Sequence, residues 1–289
     1  MTGALPGFLR AAAPAQIQSD AAPVRAGSFA LAVQSDAWRF TLLHDRPDDL
    51  VLWITRGQGR VTINGTRRGV STNSAVFMPA GTLIGIDLPP GTQALYLLAP
   101  SGMGGRMPAE PVHLRIRDGQ AQAELTAEID GIAREAQANR PRQTEALKAR
   151  MSLLSVWLHR HIAAGHVDDM ADTASTRLVR RFAQAVVRGH RRPRVMADYA
   201  EALDVTPTHL SRVCRAACGR TAADILTERK LYAARDALSR PTPPIKEIAE
   251  TLGFGSAAYF SRFVVAHTGQ TPRALRSGKP ALLTPRSGR

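Results

Sequence analysis

The chain has 289 residues, a length typical of about two domains, and 44% of them are hydrophobic, which is sufficient for ordinary cores. No stretch of about 18 consecutive apolar residues is present, so the sequence argues against a membrane-spanning helix. The only cysteines are Cys214 and Cys218. They argue against a disulfide-rich scaffold and favour a reducing, cytoplasmic location.

The net charge of +14 is concentrated in the C-terminal part of the chain. Residues 177–289 hold 21 lysines and arginines against 8 acidic residues, whereas residues 1–176 hold 17 against 16. A basic domain joined to a neutral one indicates a polyanionic partner. A membrane surface would require a basic amphipathic helix with aromatic anchors, and here the basic residues are spread over several short helices. We therefore expect a nucleic-acid partner and no membrane.

Short strands are predicted for the first hundred residues. Residues 1–27 lack the charged start and continuous apolar stretch of a signal peptide, and we interpret them as a flexible leader. From residue 28 to about 98, apolar runs alternate with tight turns such as Asn64-Gly65, which favours a small antiparallel barrel or sandwich. The predicted strands are Trp38–Leu43, Leu50–Thr55, Arg60–Asn64, Ala75–Met78, Thr82–Asp87 and Gln93–Leu98.

Two helices are predicted after an irregular stretch at residues 99–120, and they complete a sensor or dimerisation domain over residues 28–165. Their apolar faces recur at helical spacing. The first face holds Leu125, Ile129, Ile132 and Ala136, and the second holds Leu147, Met151, Leu154, Leu158 and Ile162. The second helix also carries Leu153, Val156 and Trp157, so it requires burial on more than one side. Its own barrel, a subunit interface in a homodimer, or both would provide that burial.

The rest of the chain is predicted to be helical and to contain an internal repeat. Residues 166–176 are small and polar and indicate a linker, residues 177–276 form the helical domain, and residues 277–289 are a basic tail predicted to be disordered. Ser211-Arg212, Gly219 and Thr221 recur in order 50 residues later, as Ser261-Arg262, Gly269 and Thr271. This alignment indicates a duplicated unit.

Each copy is predicted to form a helix, a tight turn and a second helix. In the first copy, Asp204 occupies the turn, because aspartate tolerates a positive φ better than most residues. Thr206-Pro207 then supplies an N-cap and a proline at the first helical position. In the second copy, Gly253 permits the turn, Phe254 fills the joint and Ser256 caps the next helix.

A long helix, Thr221–Leu238, is predicted to separate the two units. Its 18 residues would span roughly 27 Å, which is close to the ~34 Å turn of B-DNA. We therefore expect one chain to place two reading helices in successive major grooves.

These motifs resemble the DNA-binding domain of the arabinose-operon regulator (AraC/XylS) family. The matching stretches, within residues 194–276, are THLSRVCRAACGRTAADIL, IKEIAETLGF, YFSRF and HTGQTPRALR. GQGRVTINGTRRG and FMPAG resemble the cupin-like effector domain common in that family. The resemblance implies an α+β protein of two domains. A cupin-like antiparallel β-barrel with a helical pair would precede an all-α domain with two helix-turn-helix units joined by a linker helix.

The first residues of each reading helix are the candidates for contacts with DNA bases. They are Thr208, His209, Ser211, Arg212 and Arg215 in the first unit, and Ala257, Ala258, Ser261 and Arg262 in the second. Arg212 and Arg262 lead because they repeat and because arginine pairs bidentately with guanine. The alternative is a phosphate contact or a local ion pair, which is our interpretation of Arg215.

The sequence departs from the family pattern at two places. Cys214 and Cys218 stand where aromatic residues are frequent, and we interpret them as buried small hydrophobes rather than metal ligands. Val264, Val265 and Ala266 replace residues that are often basic. The second unit is therefore predicted to bind DNA less tightly than the first.

The sensor domain offers five candidate ligand-binding residues, because aromatic rings can line a pocket and an arginine or histidine can bind a carboxylate. They are Trp38, Phe40, His44, Trp53 and Arg56. The alternative is that these residues form the core and rim of the barrel. His44 and His113 are too far apart in sequence for the histidine-rich metal site of a cupin enzyme, so we expect no metal, cofactor or catalytic residue.

The sequence thus predicts a transcription regulator that binds promoter DNA and, by the family resemblance, contacts RNA polymerase. We expect an activator that responds to a small-molecule effector. DDLVLWI, GQGRVTINGT and THLSRVCRA together resemble regulators of aromatic-acid catabolism, which suggests an aromatic acid as the effector. The alternatives are an effector-independent DNA-binding protein and a cupin enzyme fused to a DNA-binding domain.

Overall fold

The structure is a computed structural model that describes residues 24–34, 36–168 and 172–278. Eight strands and two short helices occupy its N-terminal region. In chain order they are β1 (Arg25–Ser28), α1 (Phe29–Val33), α2 (Trp38–Thr41), β2 (Asp48–Arg56), β3 (Gln58–Ile63), β4 (Thr66–Ser71), β5 (Ser74–Met78), β6 (Ile84–Asp87), β7 (Gln93–Pro100) and β8 (Val112–Arg115).

The strands pair into two antiparallel sheets, with orders β1-β7-β2-β5-β8 and β4-β3-β6. Both sheets contribute to one apolar core, in which Leu52 and Ile54 of β2 and Val61 of β3 are completely buried. The prediction of antiparallel strands is confirmed. Closure into one barrel is not seen in the pairing of the described strands, which gives two sheets that share a filled core.

Strand β2 is buried on both faces, which explains its nearly continuous apolar sequence. Val51 and Trp53 alternate with the residues of the shared core and contact the helical pair, α3 (Gly119–Ala138) and α4 (Gln143–Ala163). The indole Nε1 of Trp53 donates to Thr126 Oγ1 at 3.0 Å. The predicted apolar faces of both helices lie in this second core.

The strand predicted at Trp38–Leu43 is wrong, because its first part forms helix α2. Asp36 accepts hydrogen bonds from Trp38 Nε1 and Arg39 Nε, which stabilises the helical turn. The turn directs Phe40 into the shared core and leaves Trp38 and Arg39 partly exposed. The alternation of apolar residues fitted a strand, but the backbone pairs with the sheet only at His44, through Ile84.

Three strands were not predicted: β1, β4 and β8. Strand β1 begins at Arg25, inside the segment interpreted as a leader, and pairs with β7. Val167 bridges to Leu114, so the start of the predicted linker extends the edge of the larger sheet. Residues 1–23, 169–171 and 279–289 of the predicted leader, linker and tail lie outside the described residues.

The C-terminal region is all helical. Its helices are α5 (Ala174–Gly189), α6 (Met196–Glu201), α7 (Pro207–Cys218), α8 (Ala222–Leu238), α9 (Ile245–Thr251), α10 (Ala257–Thr268) and α11 (Pro272–Arg276). Helix α8 belongs to two separate cores. Ile225 in its first half packs with α5 to α7, whereas Ala234 and Leu238 in its second half pack with α9 and α10. The predicted spacer helix is therefore a rod shared by both units.

Candidate nucleic-acid interface

The turn of the first unit has the predicted local structure. Asp204 has a φ of 58°, in the left-handed region. Thr206 Oγ1 accepts a hydrogen bond from the His209 N–H at 3.2 Å, and Pro207 occupies the first turn of α7. Because Leu210 and Cys214 are completely buried, the opposite face of α7 is presented to solvent.

The turn of the second unit is tighter. Gly253 has a φ of 71°, and a Cβ there would lie 2.6 Å from the carbonyl oxygen of Arg191. Phe254 is buried and packs against Phe260 with ring centroids 5.2 Å apart. Ser256 Oγ accepts from the Tyr259 N–H and caps α10. The predicted roles of Gly253, Phe254 and Ser256 are all confirmed.

None of the nine candidate reading residues is buried. Thr208, Arg212 and Arg215 of α7 are exposed, as are Ala258 and Arg262 of α10. His209, Ser211, Ala257 and Ser261 are partly exposed. His209 Nδ1 lies 3.0 Å from Arg212 Nη2, and Ser261 Oγ donates to the Ala257 carbonyl oxygen. The two leading arginines are therefore accessible to a ligand outside the protein.

Beside each reading helix lies a groove, and the two grooves are built from equivalent positions of the repeat. The first is lined by Thr208, Ser211, Arg212, Arg215, Ala216 and Thr221. The second is lined by Ser261, Arg262, Val265, Ala266 and Thr271, with Ile245, Pro272 and Arg273. At equivalent positions the first groove has Arg215 and the second has Val265, and the second groove also has Arg273, where the repeat has Ala223 in the first unit. Val264, by contrast, is completely buried, so its position does not face the groove.

Cys214 and Cys218 are both buried free cysteines, as predicted. Burial raises the pKa of the Cys214 thiol to about 12, so the sulfur is an uncharged thiol at neutral pH. Among residues 24–34, 36–168 and 172–278 there is no cluster of three or more side chains suited to a metal ion.

The five candidate ligand-binding residues of the sensor domain lie in different environments. Phe40 lies in the core shared by the sheets, and Trp53 faces the helical pair. Trp38 and His44 both contact Tyr232 of α8, and His44 stacks on it with ring centroids 4.2 Å apart. Burial lowers the pKa of His44 to about 3. Arg56 is exposed at the end of β2. The structure does not bring the five together around one cavity.

Sequence reasoning missed the contact between the sensor domain and the rod. Arg229 of α8, with a side chain only 6% exposed, forms an ion pair with Asp45. Arg39 Nη1 lies 3.3 Å from Asp236 Oδ1. The charged residues on the outer face of α8 did not indicate this contact in the sequence, because charged residues on a helix usually face solvent. No helix in the described part of the chain has the length and apolar character needed to cross a membrane.

Comparison with known proteins identifies the C-terminal region. A family model described as a helix-turn-helix domain matches residues 199–278. An HTH-type transcriptional regulator of Bacillus subtilis, YfiF, is 34% identical over 85 residues, which cover 29% of this chain. The chain spans only 27% of the length of that relative.

Solved structures with a similar arrangement have TM-scores below 0.5. ToxT from Vibrio cholerae, bound to an unsaturated fatty acid, is 12% identical, with 89% of this chain and 95% of that chain covered and a TM-score of 0.41. The C-terminal domain of AraT, a response regulator from Geobacillus stearothermophilus, is 27% identical, with 39% of this chain and 96% of that chain covered and a TM-score of 0.35. A Chromobacterium violaceum regulator with an AraC-type DNA-binding domain is 24% identical, with coverage of 36% and 92% and a TM-score of 0.32.

Proposed function

From the premise that the C-terminal part of this chain is an AraC-type helix-turn-helix domain, we propose that the whole protein is a sequence-specific transcription regulator. It binds promoter DNA with both reading helices and changes its activity with a small-molecule effector. We also propose that it activates transcription through contact with RNA polymerase and that it is located in the cytoplasm. No catalytic residue is assigned.

The observation that supports DNA reading is that two exposed arginines lie at equivalent positions of α7 and α10, in the two units that α8 joins. Arg212 and Arg262 occupy equivalent positions of the repeat and are both exposed. The 17 residues of α8 span about 26 Å, a length compatible with successive major grooves about 34 Å apart. Arginine in a major groove can pair with guanine O6 and N7, which gives sequence discrimination.

A gel-shift titration on DNA fragments upstream of the neighbouring genes tests this proposal. We expect tight binding to one fragment and a log–log salt dependence with a slope of about −0.9 for each neutralised phosphate. Arg134→Ala, at an exposed position of α3, is the control and should bind like the wild type. Equal affinity for all fragments, or a flat salt profile, would contradict sequence-specific binding.

A homodimer is part of the proposal because α4 leaves an apolar strip uncovered. Leu153 is 60% exposed and Val156 is 45% exposed, although the opposite face of the helix is buried. Exposed apolar groups at helical spacing favour pairing with a second copy. Sedimentation of the Leu153→Lys variant should show a monomer where the wild type shows a dimer, and two monomeric proteins would contradict this.

The filled core between the sheets favours a second candidate, an effector-independent DNA-binding protein. Leu52, Ile54 and Val76 are completely buried in the core that both sheets share. Unchanged DNA affinity with every candidate metabolite, aromatic acids included, would support this candidate. The third reading, a cupin enzyme fused to a DNA-binding domain, requires bound metal and is tested by elemental analysis.

A further inference from the structure

A cleft of about 910 Å³ lies where the sensor domain, the rod and the second unit meet. Arg46 lines it from the sensor domain, Arg229 and Tyr232 from α8, and Ile248 and Thr251 from α9. This volume is within the range of pockets that bind metabolite-sized molecules. A molecule in the cleft would contact all three parts of the protein.

The cleft carries a surplus of positive charge. Six arginines line it against three aspartates. Each aspartate already has an arginine partner, since Asp45 pairs with Arg229, Asp48 with Arg25, and Asp236 with both Arg39 and Arg240. Among the described residues, Arg46 and Arg191 are the two arginines of the cleft that take part in none of these ion pairs. Such a concave cationic surface concentrates anions.

Two arginines that line this cleft each have a buried guanidinium nitrogen with no hydrogen-bond partner among the described residues: Arg229 Nη1 and Arg46 Nε. The side chain of Arg229 is more than nine-tenths buried. A buried donor without a partner costs free energy, and the cost is higher for a charged group than for a neutral one. Burial also lowers the pKa of Arg46. Both residues line the cleft, so their guanidinium groups are available to an anion bound there.

We propose that this cleft binds a compact anion with two or more negative charges, through Arg46 and Arg229. Phosphate and carboxylate groups share the oxygen geometry that guanidinium groups bind with charge-assisted hydrogen bonds. The ligand is therefore a phosphorylated or polycarboxylate metabolite. If this anion is the effector, the inference rests on the proposed function. It then places the effector site between the domains rather than in the core between the sheets.

The position of the cleft gives the anion a route to the DNA-binding surface. It would join Arg46 of the sensor domain to the rod and to the start of the second unit, next to Ile248. An anion that binds one arrangement of these parts better than others stabilises that arrangement. By thermodynamic linkage, the anion changes the affinity of the protein for DNA by the same factor by which DNA changes its affinity for the anion.

Thermal unfolding of the DNA-free full chain tests the anion site. Pyrophosphate and citrate are the two probes, each compared with sodium chloride at equal ionic strength. At a concentration about 100 times the Kd, we expect the melting temperature to rise by about 5 °C or more. Pyrophosphate alone indicates a phosphate-bearing ligand, citrate alone a polycarboxylate, and either response supports the site.

The Arg46→Gln variant should lose this rise, because Arg46 supplies one of the two guanidinium groups that bind the anion. Arg46 forms no ion pair with a described residue, so its removal leaves no described carboxylate unpaired, although it also removes the 3.5 Å contact between Arg46 Nη1 and His44 Nε2. Arg134→Gln is the matched control and should keep it. If Arg46→Gln does not fold, Arg191→Gln at the exposed rim replaces it and should reduce the rise. An equal rise in wild type and cleft variants, or no rise above sodium chloride with either probe, overturns the proposal. Because DNA is absent, the result is independent of the gel-shift test.

Discussion

The two helix-turn-helix units share a sequence pattern and a rod, but they differ in what surrounds them. The core of the first unit is continuous with the sensor domain, since Leu43 and Leu83 are completely buried in the same cluster as Phe182. The core of the second unit contains residues from α8 onward. Duplication therefore produced one anchored unit and one that depends on its own packing and on the rod.

The DNA-facing grooves differ in the same sense. The groove of the anchored unit carries Arg215, whereas the equivalent position of the second groove carries Val265. At this position of the repeat the first unit has a side chain for a phosphate contact and the second has none, although Arg273 also lines the second groove. We therefore expect the first unit to bind DNA more tightly than the second.

The largest expected effect comes from opening a cavity in each core. Phe260→Ala and Phe182→Ala each remove a completely buried ring and should cost about 3–5 kcal/mol. Hydrogen exchange should show that Phe260→Ala exposes amides of α9 and α10 only. Phe182→Ala should also release amides of β6, because its core includes Leu83. Identical exchange patterns for the two variants would contradict the claim that only the core of the first unit is continuous with the sensor domain.

The turns should respond in opposite ways to a change of side chain. Gly253→Ala places a Cβ against the Arg191 backbone at a positive φ, and we expect a loss of about 2 kcal/mol or more in unfolding free energy. Asp204→Gly relieves a left-handed residue and should change stability by less than about 1 kcal/mol. Urea titration measures both. A tolerated Gly253→Ala would show that the backbone contact is not tight.

The reading arginines should differ in their effect on DNA affinity. Arg212→Ala should weaken binding by about 10- to 100-fold, the range for loss of a bidentate contact to guanine. Arg262→Ala should weaken it less, because Val265 stands in the second groove at the position that Arg215 occupies in the first. Gel-shift titrations at one fixed salt concentration compare them. Equal losses would refute the asymmetry.

The smallest effect tests the groove position directly. Val265→Arg restores the basic residue that the first unit has at Arg215 and should steepen the salt slope by about 0.9, the contribution of one phosphate. A change at the neighbouring Val264 would not test DNA contact, because Val264 is buried and its replacement would lower the stability of the protein. An unchanged slope in Val265→Arg would place this position away from the DNA backbone.

How much of this was predictable depends on whether a residue's role is local. The caps at Thr206 and Ser256 and the turn at Gly253 were predictable because each is determined by neighbours within a few residues. The pairing of Arg229 with Asp45 was not, because it joins residues 184 positions apart in the sequence. The helix at Trp38 was missed, although Asp36 stabilises it locally, because its alternating apolar residues also fit a strand. The dispersion of the five candidate ligand residues was not predictable either. The alternation of residues along a strand does not show which face of β2 packs against the helices.

Footprinting of the wild type and the Arg262→Ala variant on the best-bound promoter fragment tests the central claim most directly. The wild type should protect two patches about 10 base pairs apart on one face of the duplex. Arg262→Ala should lose the second patch and keep the first, since the anchored unit binds independently. A single patch in the wild type, or loss of both patches together in the variant, would contradict two grooves read from one rod.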